Sequence, residues 1–251
     1  MPDPPFPHTA KNRFPLPGVI KLDPLCLPPN AEPLDFMLAV MRDKSQPMWR
    51  RIEAAKAALA LPPRLVLGFT GFIRGWNAVH RLIDFVALQR DRFDLHILVV
   101  GDGPARESLQ EHARSRGVAD RLTISGIVGR DDVARHVAAF DIAVLPGLTP
   151  YSSPLKLFEY LQLARAIVAP DTENIREILT DGQDAVLFDT EADGDLEAAL
   201  LRLCGDPALR ERLGKAARST IIAKSLTWGH NAERVVGIAE TLIGQAGAGP
   251  R

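Results

Sequence analysis

The chain has 251 residues, a length expected for one to two domains, and 30 Lys and Arg against 31 Asp and Glu give a formal net charge of −1. This balance argues against a general nucleic-acid-binding or anionic-membrane-binding protein, because both classes carry an excess of basic residues. Hydrophobic residues make up 46% of the chain and charged residues 24%, as in ordinary globular domains. No apolar run is long enough to cross a bilayer, so we predict no transmembrane segment.

The first residues and the cysteines bear on localisation and on metal binding. The opening MPDPPFP lacks the basic start and the apolar segment of a secretory signal peptide. Cys26 and Cys204 are too few for a disulfide framework, and their spacing suggests no zinc site. The six histidines show no paired metal spacing either. We therefore predict a cytoplasmic protein with two unreactive thiols and no bound metal.

Prolines divide the chain into two parts of different character. Thirteen of the twenty prolines lie in residues 1–63, and such a segment cannot sustain central strands or long helices. We expect residues 1–64 to form an extended lead-in with one helix at 48–61. Residues 65–245 are predicted to be the folded domain, and the Gly- and Ala-rich residues 246–251 to be a frayed tail.

After the lead-in, short apolar runs alternate with amphipathic helical patterns. Six strands are predicted, at residues 65–70, 95–100, 121–124, 142–145, 166–169 and 185–188. Helices are predicted after the first five of them, beginning near residues 79, 104, 131, 154 and 174, and three more follow between 191 and 243. This alternation predicts a doubly wound, mostly parallel α/β sheet of Rossmann-like type with helices on both faces. Such a sheet binds ligands at the carboxyl ends of its strands.

The turn after the first predicted strand, residues 71–77 (GFIRGWN), is a candidate phosphate site. It places Arg74 between Gly71 and an aromatic residue, just before a helix begins. An arginine in that position can bind phosphate through two parallel hydrogen bonds. The alternative is a surface loop in which Arg74 is solvated and Trp76 only packs. The residues themselves leave both readings open.

The turn after the second predicted strand, residues 101–106 (GDGPAR), resembles a dinucleotide fingerprint only in part. Gly101 and Gly103 fit the first two glycine positions, but Arg106 occupies the third. Pro104 suits the first position of a helix. We therefore predict a tight turn near a ligand rather than a nicotinamide or flavin site.

The third turn, residues 150–160 (PYSSPLKLFEY), carries the strongest signal. Ser153 is a good helix N-cap, and Pro154 fits the first helical position. Proline has no N–H, so the next three amides are predicted to be free donors beside the positive end of the helix dipole. These predicted donors of a phosphate site are Leu155, Lys156 and Leu157.

Lys156, Glu159 and Tyr160 fall at i, i+3 and i+4, on one face of this helix. A carboxylate one turn beyond a phosphate site is well placed to accept hydrogen bonds from sugar hydroxyls. The alternative is an ordinary surface pair of Lys156 and Glu159. The apolar character of the rest of the helix favours the binding interpretation.

Taken in order, these segments resemble the C-terminal, donor-binding half of a GT-B glycosyltransferase of the family 4 type. The resemblance covers residues 65–243 and rests on 71–74, 99–104 (VVGDGP), 125–128 (SGIV), 141–146 (DIAVLP) and 153–160 (SPLKLFEY). Residues 27–30 (LPPN) also resemble the segment that joins the two halves in that family. Five segments in the family's order are more specific than any one of them.

The resemblance implies retaining transfer of a sugar from a nucleotide-diphospho-sugar, with neither a metal nor another cofactor. Backbone amides at Leu155 and Lys156 would hold the diphosphate, and Glu159 would bind the ribose hydroxyls. Ile127 and Val128 match the segment that lies against the nucleobase. The other implied donor-site residues are Gly71, Arg74, Gly101, Gly103, Tyr151 and Ser153. No catalytic residue is assigned.

The chain departs from the family pattern at three positions near this site. Tyr151 stands where the family has the first glutamate of its two-glutamate motif. Asn77 replaces a lysine that binds diphosphate, and Phe72 replaces an arginine, which leaves Arg74 as the nearest basic candidate. These departures bear on phosphate affinity and on the identity of the donor sugar.

GT-B enzymes bind the acceptor on a separate N-terminal half, and residues 1–64 are too short and too rich in proline to form one. The expected partners are therefore a nucleotide-sugar donor and an acceptor-binding half, supplied by a missing N-terminal region or by another chain. A second hypothesis is a catalytically silent nucleotide-sugar-binding or interaction module. A third is one half of a GT-B-shaped epimerase, although the helix sequence is not typical of one.

Overall fold

Six parallel strands form one sheet in the computed structural model, which describes residues 41, 46–62, 64–149 and 151–247. The strands are β1 (Leu65–Thr70), β2 (Leu95–Val100), β3 (Leu122–Ile124), β4 (Ile142–Val144), β5 (Ala166–Pro170) and β6 (Val186–Phe188). Their order in the sheet is β3-β2-β1-β4-β5-β6, and every neighbouring pair is parallel. The chain therefore adds β2 and β3 on one side of β1, and β4, β5 and β6 on the other side. A doubly wound sheet binds ligands at the carboxyl ends of its strands, beside this switch point between β1 and β4.

Nine helices are described, and eight of them cover the two faces of the sheet. They are α1 (Met48–Ala58), α2 (His80–Gln89), α3 (Arg106–Ser115), α4 (Arg130–Ala138), α5 (Lys156–Gln162), α6 (Glu173–Arg176), α7 (Asp195–Gly205), α8 (Pro207–Ala223) and α9 (Trp228–Gly247). Helices α2, α3 and α7 contribute to the core on one face. Helices α1, α4, α5, α6 and α8 contribute to the core on the other. The predicted fold class, a doubly wound parallel α/β sheet, is confirmed.

Central strands are buried on both sides, which explains why they read as continuous apolar runs. All six residues of β2 are buried. In β1, Leu67 and Phe69 pack into one core and Val66 into the other. Gly68 lies under Phe140, where a Cβ atom would fall 2.0 Å from the ring. A glycine in mid-strand is therefore required here by close packing.

Helix α1 packs against α4 and contributes to the core on that face of the sheet. Ala55 is fully buried in the core beneath α4 and α5. Lys56, also buried, forms an ion pair with Asp141 at 2.8 Å, and the same carboxylate accepts a hydrogen bond from the amide of Val66 at 2.7 Å. This contact attaches part of the predicted lead-in to the first strand of the domain.

Several element boundaries differ from the sequence prediction. Helix α1 ends at Ala58, three residues earlier than predicted, and α6 has only four residues. Met41 is also helical, so the predicted single helix is not the only helical part of the lead-in. Helix α9 continues to Gly247, into the segment predicted to fray. Cys26 and the segment 27–30 lie outside the described residues.

No described helix is both long and apolar enough to span a membrane. Across the described part of the chain, no three His, Cys, Asp or Glu side chains are grouped so that they could hold a metal ion. Cys204 is buried, and burial raises the pKa of its thiol to about 12. That thiol is therefore protonated and unreactive at neutral pH.

Candidate functional site

A cavity of about 590 Å³ opens at the carboxyl ends of β1 and β2 and against the loop that follows β4. This volume lies within the range of small-molecule sites. Thr70 and Val100, the last residues of two strands, form part of its wall. The cavity also contains eight of the eleven residues singled out from the sequence. These are Gly71, Gly101, Ile127, Val128, Ser153, Leu155, Lys156 and Glu159.

Lys156 brings the only cationic side chain among the described cavity-lining residues. Its Nζ atom lies 3.9 Å from the centre of the Phe69 ring, in cation–π contact. Within the described chain, that ammonium has no hydrogen-bond or ion-pair partner. Burial lowers the pKa of Lys156 to about 8, and the negative charge of Glu159 acts in the opposite direction.

Gly71 makes room for this lysine. The glycine has a φ of +123°, and a Cβ atom at this position would lie 2.9 Å from Nζ of Lys156. A side chain here would therefore be strained and would displace the ammonium group. The backbone at the end of β1 thus forms one side of the pocket that holds the lysine head group.

Glu159 and Tyr160 occupy different environments, although the sequence placed them on one face with Lys156. Glu159 is exposed and lines the cavity. Partial loss of solvent raises the pKa of its carboxyl above the ordinary value, although the positive charge of Lys156 acts in the opposite direction. Tyr160 is fully buried. Its hydroxyl accepts a hydrogen bond from the amide of Thr70 at 2.9 Å and lies 3.1 Å from Oγ1 of Thr70. Tyr160 therefore joins α5 to the end of β1 and does not line the cavity.

The predicted start of the helix in residues 150–160 is wrong by two residues. Helix α5 begins at Lys156, with Leu155 in the cap position and no side chain capping it. The amide of Leu157 donates to the carbonyl of Pro154 at 2.8 Å, so it is not a free donor. The amides of Leu155 and Lys156 have no acceptor among the described residues.

Contacts outside the helix explain this displaced start. The amide of Ser152 donates to the carbonyl of Thr149 at 3.0 Å, which makes a turn just before the helix. The side-chain amide of Asn174 donates to the carbonyl of Ser152. These bonds hold the segment outside the helix, and Ser153 remains exposed without capping it.

Gly101 and Gly103 allow two loops to approach each other closely. A Cβ atom on Gly101 would lie 2.1 Å from the carbonyl oxygen of Gly71, and one on Gly103 would lie 2.3 Å from that of Ile73. The amide of Ile73 in turn donates to the carbonyl of Asp102 at 2.9 Å. Gly101 reaches the cavity, whereas Gly103 lies outside its lining and serves the packing of the loops.

Arg74 lies outside the main cavity. Its guanidinium carbon is 5.0 Å from the ring centre of Phe72 and 4.8 Å from that of Trp76, and the residue lines a separate cavity of about 260 Å³. Its backbone amide donates to Oδ1 of Asn77 at 2.9 Å. Tyr151 is 89% exposed and lines neither cavity. The structure therefore does not bring Arg74, Gly103 or Tyr151 into the main cavity.

The sequence-based assignment of site residues did not include eleven residues that line the cavity, although six of them lie in the three candidate turns. The eleven residues are Thr70, Phe72, Trp76, Asn77, Val100, Asp102, Val133, Leu148, Thr149, Ser152 and Pro154. Most of them follow the carboxyl end of a strand, where doubly wound sheets bind ligands. Applying that principle to the loop after β4 would have identified Leu148 and Thr149 from the sequence. Phe72, Ile127 and Leu155 are 58%, 90% and 69% exposed, so apolar side chains surround the opening. We call these three residues the apolar rim.

A family model described as "Glycosyl transferases group 1" matches residues 64–206, more than half of the chain. The chain belongs to this family. The match includes the whole sheet and every residue of the main cavity. The family assignment therefore covers the part of the molecule that forms the candidate site.

Two curated relatives show the extent of the similarity. The chain is 28% identical to alpha-D-kanosaminyltransferase of Streptomyces kanamyceticus over 177 residues, which are 68% of this chain and 46% of that protein. It is 29% identical to D-inositol 3-phosphate glycosyltransferase of Thermomonospora curvata over 210 residues, which are 79% of this chain and 48% of the relative. The chain thus spans about half the length of these relatives.

Solved structures share the fold. The C-terminal domain of the group 1 glycosyl transferase LpcC from Francisella tularensis aligns with a TM-score of 0.61 at 17% identity, over 68% of this chain and 91% of that domain. Anabaena HepE, determined in complex with UDP, aligns with a TM-score of 0.68 at 17% identity, over 76% of this chain and 52% of HepE. At these identities the likeness establishes the architecture of a GT-B Rossmann-like domain.

Proposed function

We propose that this chain is the donor-binding half of a retaining glycosyltransferase of the family 4 type. It binds a nucleotide-diphospho-sugar in the main cavity without a metal ion and transfers the sugar to an acceptor held by another half. One observation carries the proposal: an unpartnered ammonium, that of Lys156, lies inside a cavity at the ligand-binding edge of a group 1 glycosyl transferase domain. The length of the match to the LpcC C-terminal domain supports the assignment to a C-terminal half.

The cavity offers complementary groups for each part of such a donor. Lys156 and the unpaired amides of Leu155 and Lys156 suit the negative charge of a diphosphate. Glu159 lies one helical turn further on, where its carboxylate can accept hydrogen bonds from ribose hydroxyls. Ile127 and Val128 offer apolar surface for a nucleobase. The UDP bound to HepE makes a uridine diphosphate the first ligand to test.

Calorimetric titration of the purified chain tests the binding function. The ligands are UDP, GDP, ADP and TDP, each compared with its nucleoside. We expect at least one diphosphate to bind more than tenfold tighter than its nucleoside, because charge-assisted hydrogen bonds contribute about 1.5–3 kcal/mol. A chain that binds none of the four diphosphates contradicts the proposal.

A catalytically silent binding module is the second candidate. Tyr151 supports it, because it occupies the position of the family's first glutamate and lies exposed outside the cavity. Both candidates bind the nucleotide, so binding alone does not separate them. A neighbouring reading frame with an alternating strand–helix pattern favours the enzyme. The test mixes this chain with the protein encoded by that neighbouring reading frame and adds a UDP-sugar. If the mixture releases UDP faster than either protein alone, the silent module is excluded.

The cytoplasmic location predicted from the sequence stays a prediction. Fractionation of cells that express the tagged full-length protein, with detection in the cytosolic and membrane fractions, measures it directly.

A further inference from the structure

Among the basic side chains that the structure describes, three lie near the loops that form the cavity, and only Lys156 lines it. Arg106 forms an ion pair with Asp102 at 2.8 Å, so its charge is already neutralised. Arg74 contacts the rings of Phe72 and Trp76 and lines the separate, smaller cavity. Lys156 lines the main cavity and has neither an acidic partner nor a hydrogen-bond acceptor within the described chain.

The surroundings of Lys156 fix its head group at one place. The face of the Phe69 ring lies on one side of Nζ, at 3.9 Å from the ring centre. The backbone of Gly71, which has no Cβ atom to obstruct it, lies on another side. Tyr160 holds the same helix against β1 through Thr70, so the base of the lysine side chain is fixed as well. A lysine held in this way loses little conformational entropy when it binds a ligand.

An unpaired, largely buried ammonium destabilises a folded protein, because desolvation disfavours the charged form. Glu159 lies one turn away on α5 but forms no ion pair with it. The arrangement leaves the ammonium available to an anion in the cavity. A phosphate group placed against Nζ would supply the missing partner and would also lie beside the free amides at the start of α5.

We propose that the side-chain ammonium of Lys156, rather than the guanidinium of Arg74, is the cation that binds the diphosphate of the nucleotide. The proposal rests on the nucleotide-binding function above and adds the identity of its charged contact. It replaces the prediction that Arg74 supplies the positive charge for this site. It also gives Gly71 a role, since the glycine leaves space for the ammonium group.

The test compares three substitutions to methionine, which keeps a similar chain length and removes the charge. Lys156→Met is the test variant, Arg74→Met the competing variant and Lys215→Met the matched control. Lys215 is 69% exposed and pairs with Glu211 on α8, outside the cavity lining. Each protein is titrated with the tightest-binding member of UDP, GDP, ADP and TDP, and with the matching nucleoside. Circular dichroism and thermal denaturation verify folding.

We expect Lys156→Met to weaken diphosphate binding by about 10- to 100-fold, the effect of losing a charge-assisted hydrogen bond. Nucleoside affinity should change less than about twofold, because the nucleoside carries no phosphate. Arg74→Met should lose less affinity than Lys156→Met, and Lys215→Met should match the wild type. This pattern supports the proposal.

Other outcomes overturn it. If Lys156→Met binds the diphosphate as tightly as the wild type, the proposal is wrong while the nucleotide-binding function stands. An equal or larger loss in Arg74→Met assigns the contact to the arginine. Equal losses of diphosphate and nucleoside affinity in a folded Lys156→Met protein show a structural role only. A wild type that binds no diphosphate removes both the function and this inference.

Discussion

In the free protein, two sets of interactions act in opposite directions on the positive charge of Lys156. Its charge is favoured by nothing in the described chain except Glu159 and the Phe69 ring, while burial disfavours it. Because burial lowers the pKa of Lys156 to about 8, we expect the free protein to contain both the neutral and the charged lysine near pH 8. An anionic ligand reverses this balance by stabilising the protonated form.

The first prediction follows from this balance: binding of UDP near pH 8 takes up protons. The bound anion raises the pKa of Lys156, so up to about half a proton per UDP is expected at pH 8 and almost none at pH 6, where the lysine is already charged. The other ionisable groups that line the cavity are Glu159 and Asp102, which is paired with Arg106.

Calorimetry in buffers of different ionisation enthalpy measures this uptake. Lys156→Met serves as the control, because it removes the titration of the lysine, and the double variant Lys156→Met/Glu159→Gln removes that of Glu159 as well. Equal uptake in the two proteins at pH 8 would show that Lys156 does not contact the anion.

The second prediction concerns Glu159. Replacing it with Ala should weaken UDP binding by about 1.5–3 kcal/mol, the range for a hydrogen bond to a charged group, because the ribose hydroxyls lose their acceptor. Uridine binding should weaken by a similar amount, since uridine carries the same ribose. Glu191→Ala, an exposed change outside the cavity, is the matched control. Unchanged affinity in Glu159→Ala would remove Glu159 from the site.

At the scale of elements, helix α5 packs into the core through Leu157, Tyr160 and Leu161, and the hydroxyl of Tyr160 adds a hydrogen bond to β1. Tyr160 is the tyrosine that packs under the cavity, and its hydroxyl accepts from the amide of Thr70 at the last residue of β1. The contacts of this hydroxyl with the amide and Oγ1 of Thr70 connect the helix that carries Lys156 and Glu159 to the strand that precedes Gly71. The buried hydroxyl of Tyr160 therefore connects two elements that form the cavity.

The third prediction uses the two tyrosines of the chain as a matched pair. Tyr160→Phe leaves the amide of Thr70 without its acceptor in the core and should lower the free energy of unfolding by about 1–3 kcal/mol. Tyr151→Phe should change it little, because Tyr151 is 89% exposed. Chemical denaturation of both variants measures the difference. Equal stability would mean that the Tyr160 hydroxyl contributes nothing to the fold.

The fourth prediction concerns His96 in the middle of β2. Its Nε2 atom lies 2.9 Å from Oγ1 of Thr123, and burial lowers its pKa to about 4. The folded state therefore favours the neutral ring, and its stabilising contribution is present above the unfolded-state pKa of 6.5 and lost as pH falls towards 4. The charged groups that act on it are Arg64, Asp94, Asp120 and Arg121.

The wild type should lose about 2 kcal/mol of stability between pH 7.5 and pH 5 from this residue. His96→Gln keeps a polar group near Thr123 and removes the titration, so its stability should fall less over the same interval. Urea denaturation at several pH values gives both curves. Parallel curves would show that another group causes the acid sensitivity.

At the scale of the whole molecule, the proposed function requires a second wall opposite the cavity at the edge of the sheet. The apolar rim faces outward, and α9 carries exposed apolar residues on its surface: Val235, Ile238 and Leu242. Sugar transfer requires donor and acceptor to be held within about 3–3.5 Å of each other in a water-poor site. Under the proposed function, the described residues would form the donor side of such a site.

The fifth prediction is that the isolated 251-residue chain binds a nucleotide but transfers no sugar. The measurement is a sensitive glycosylation assay on the monodisperse chain with a panel of UDP-sugars and acceptors. Addition of an acceptor-binding half should restore transfer. Robust transfer by the chain alone would show that residues 1–64 build more of the cleft than their proline content allows.

The sequence by itself determined the architecture and the edge where the site lies. The predicted bounds of β1 and β2 agree with the structure because strands buried on both faces must be apolar throughout. The turns at Gly71 and Gly101 could be predicted from the sequence, because backbone conformation and close approach restrict those positions to glycine. Periodicity and turn chemistry are local properties, so a single sequence displays them.

Only the tertiary structure decided which side chains share the cavity. Lys156 reaches back across Phe69 to Gly71, Arg74 turns away to two aromatic rings, and Tyr160 is buried. The start of α5 was likewise displaced by contacts with Thr149 and Asn174, which lie outside the helix. The placements of Lys156 and Tyr160 and the contact of Asn174 with Ser152 depend on elements distant in the sequence, and local propensity contains no information about how those elements pack together.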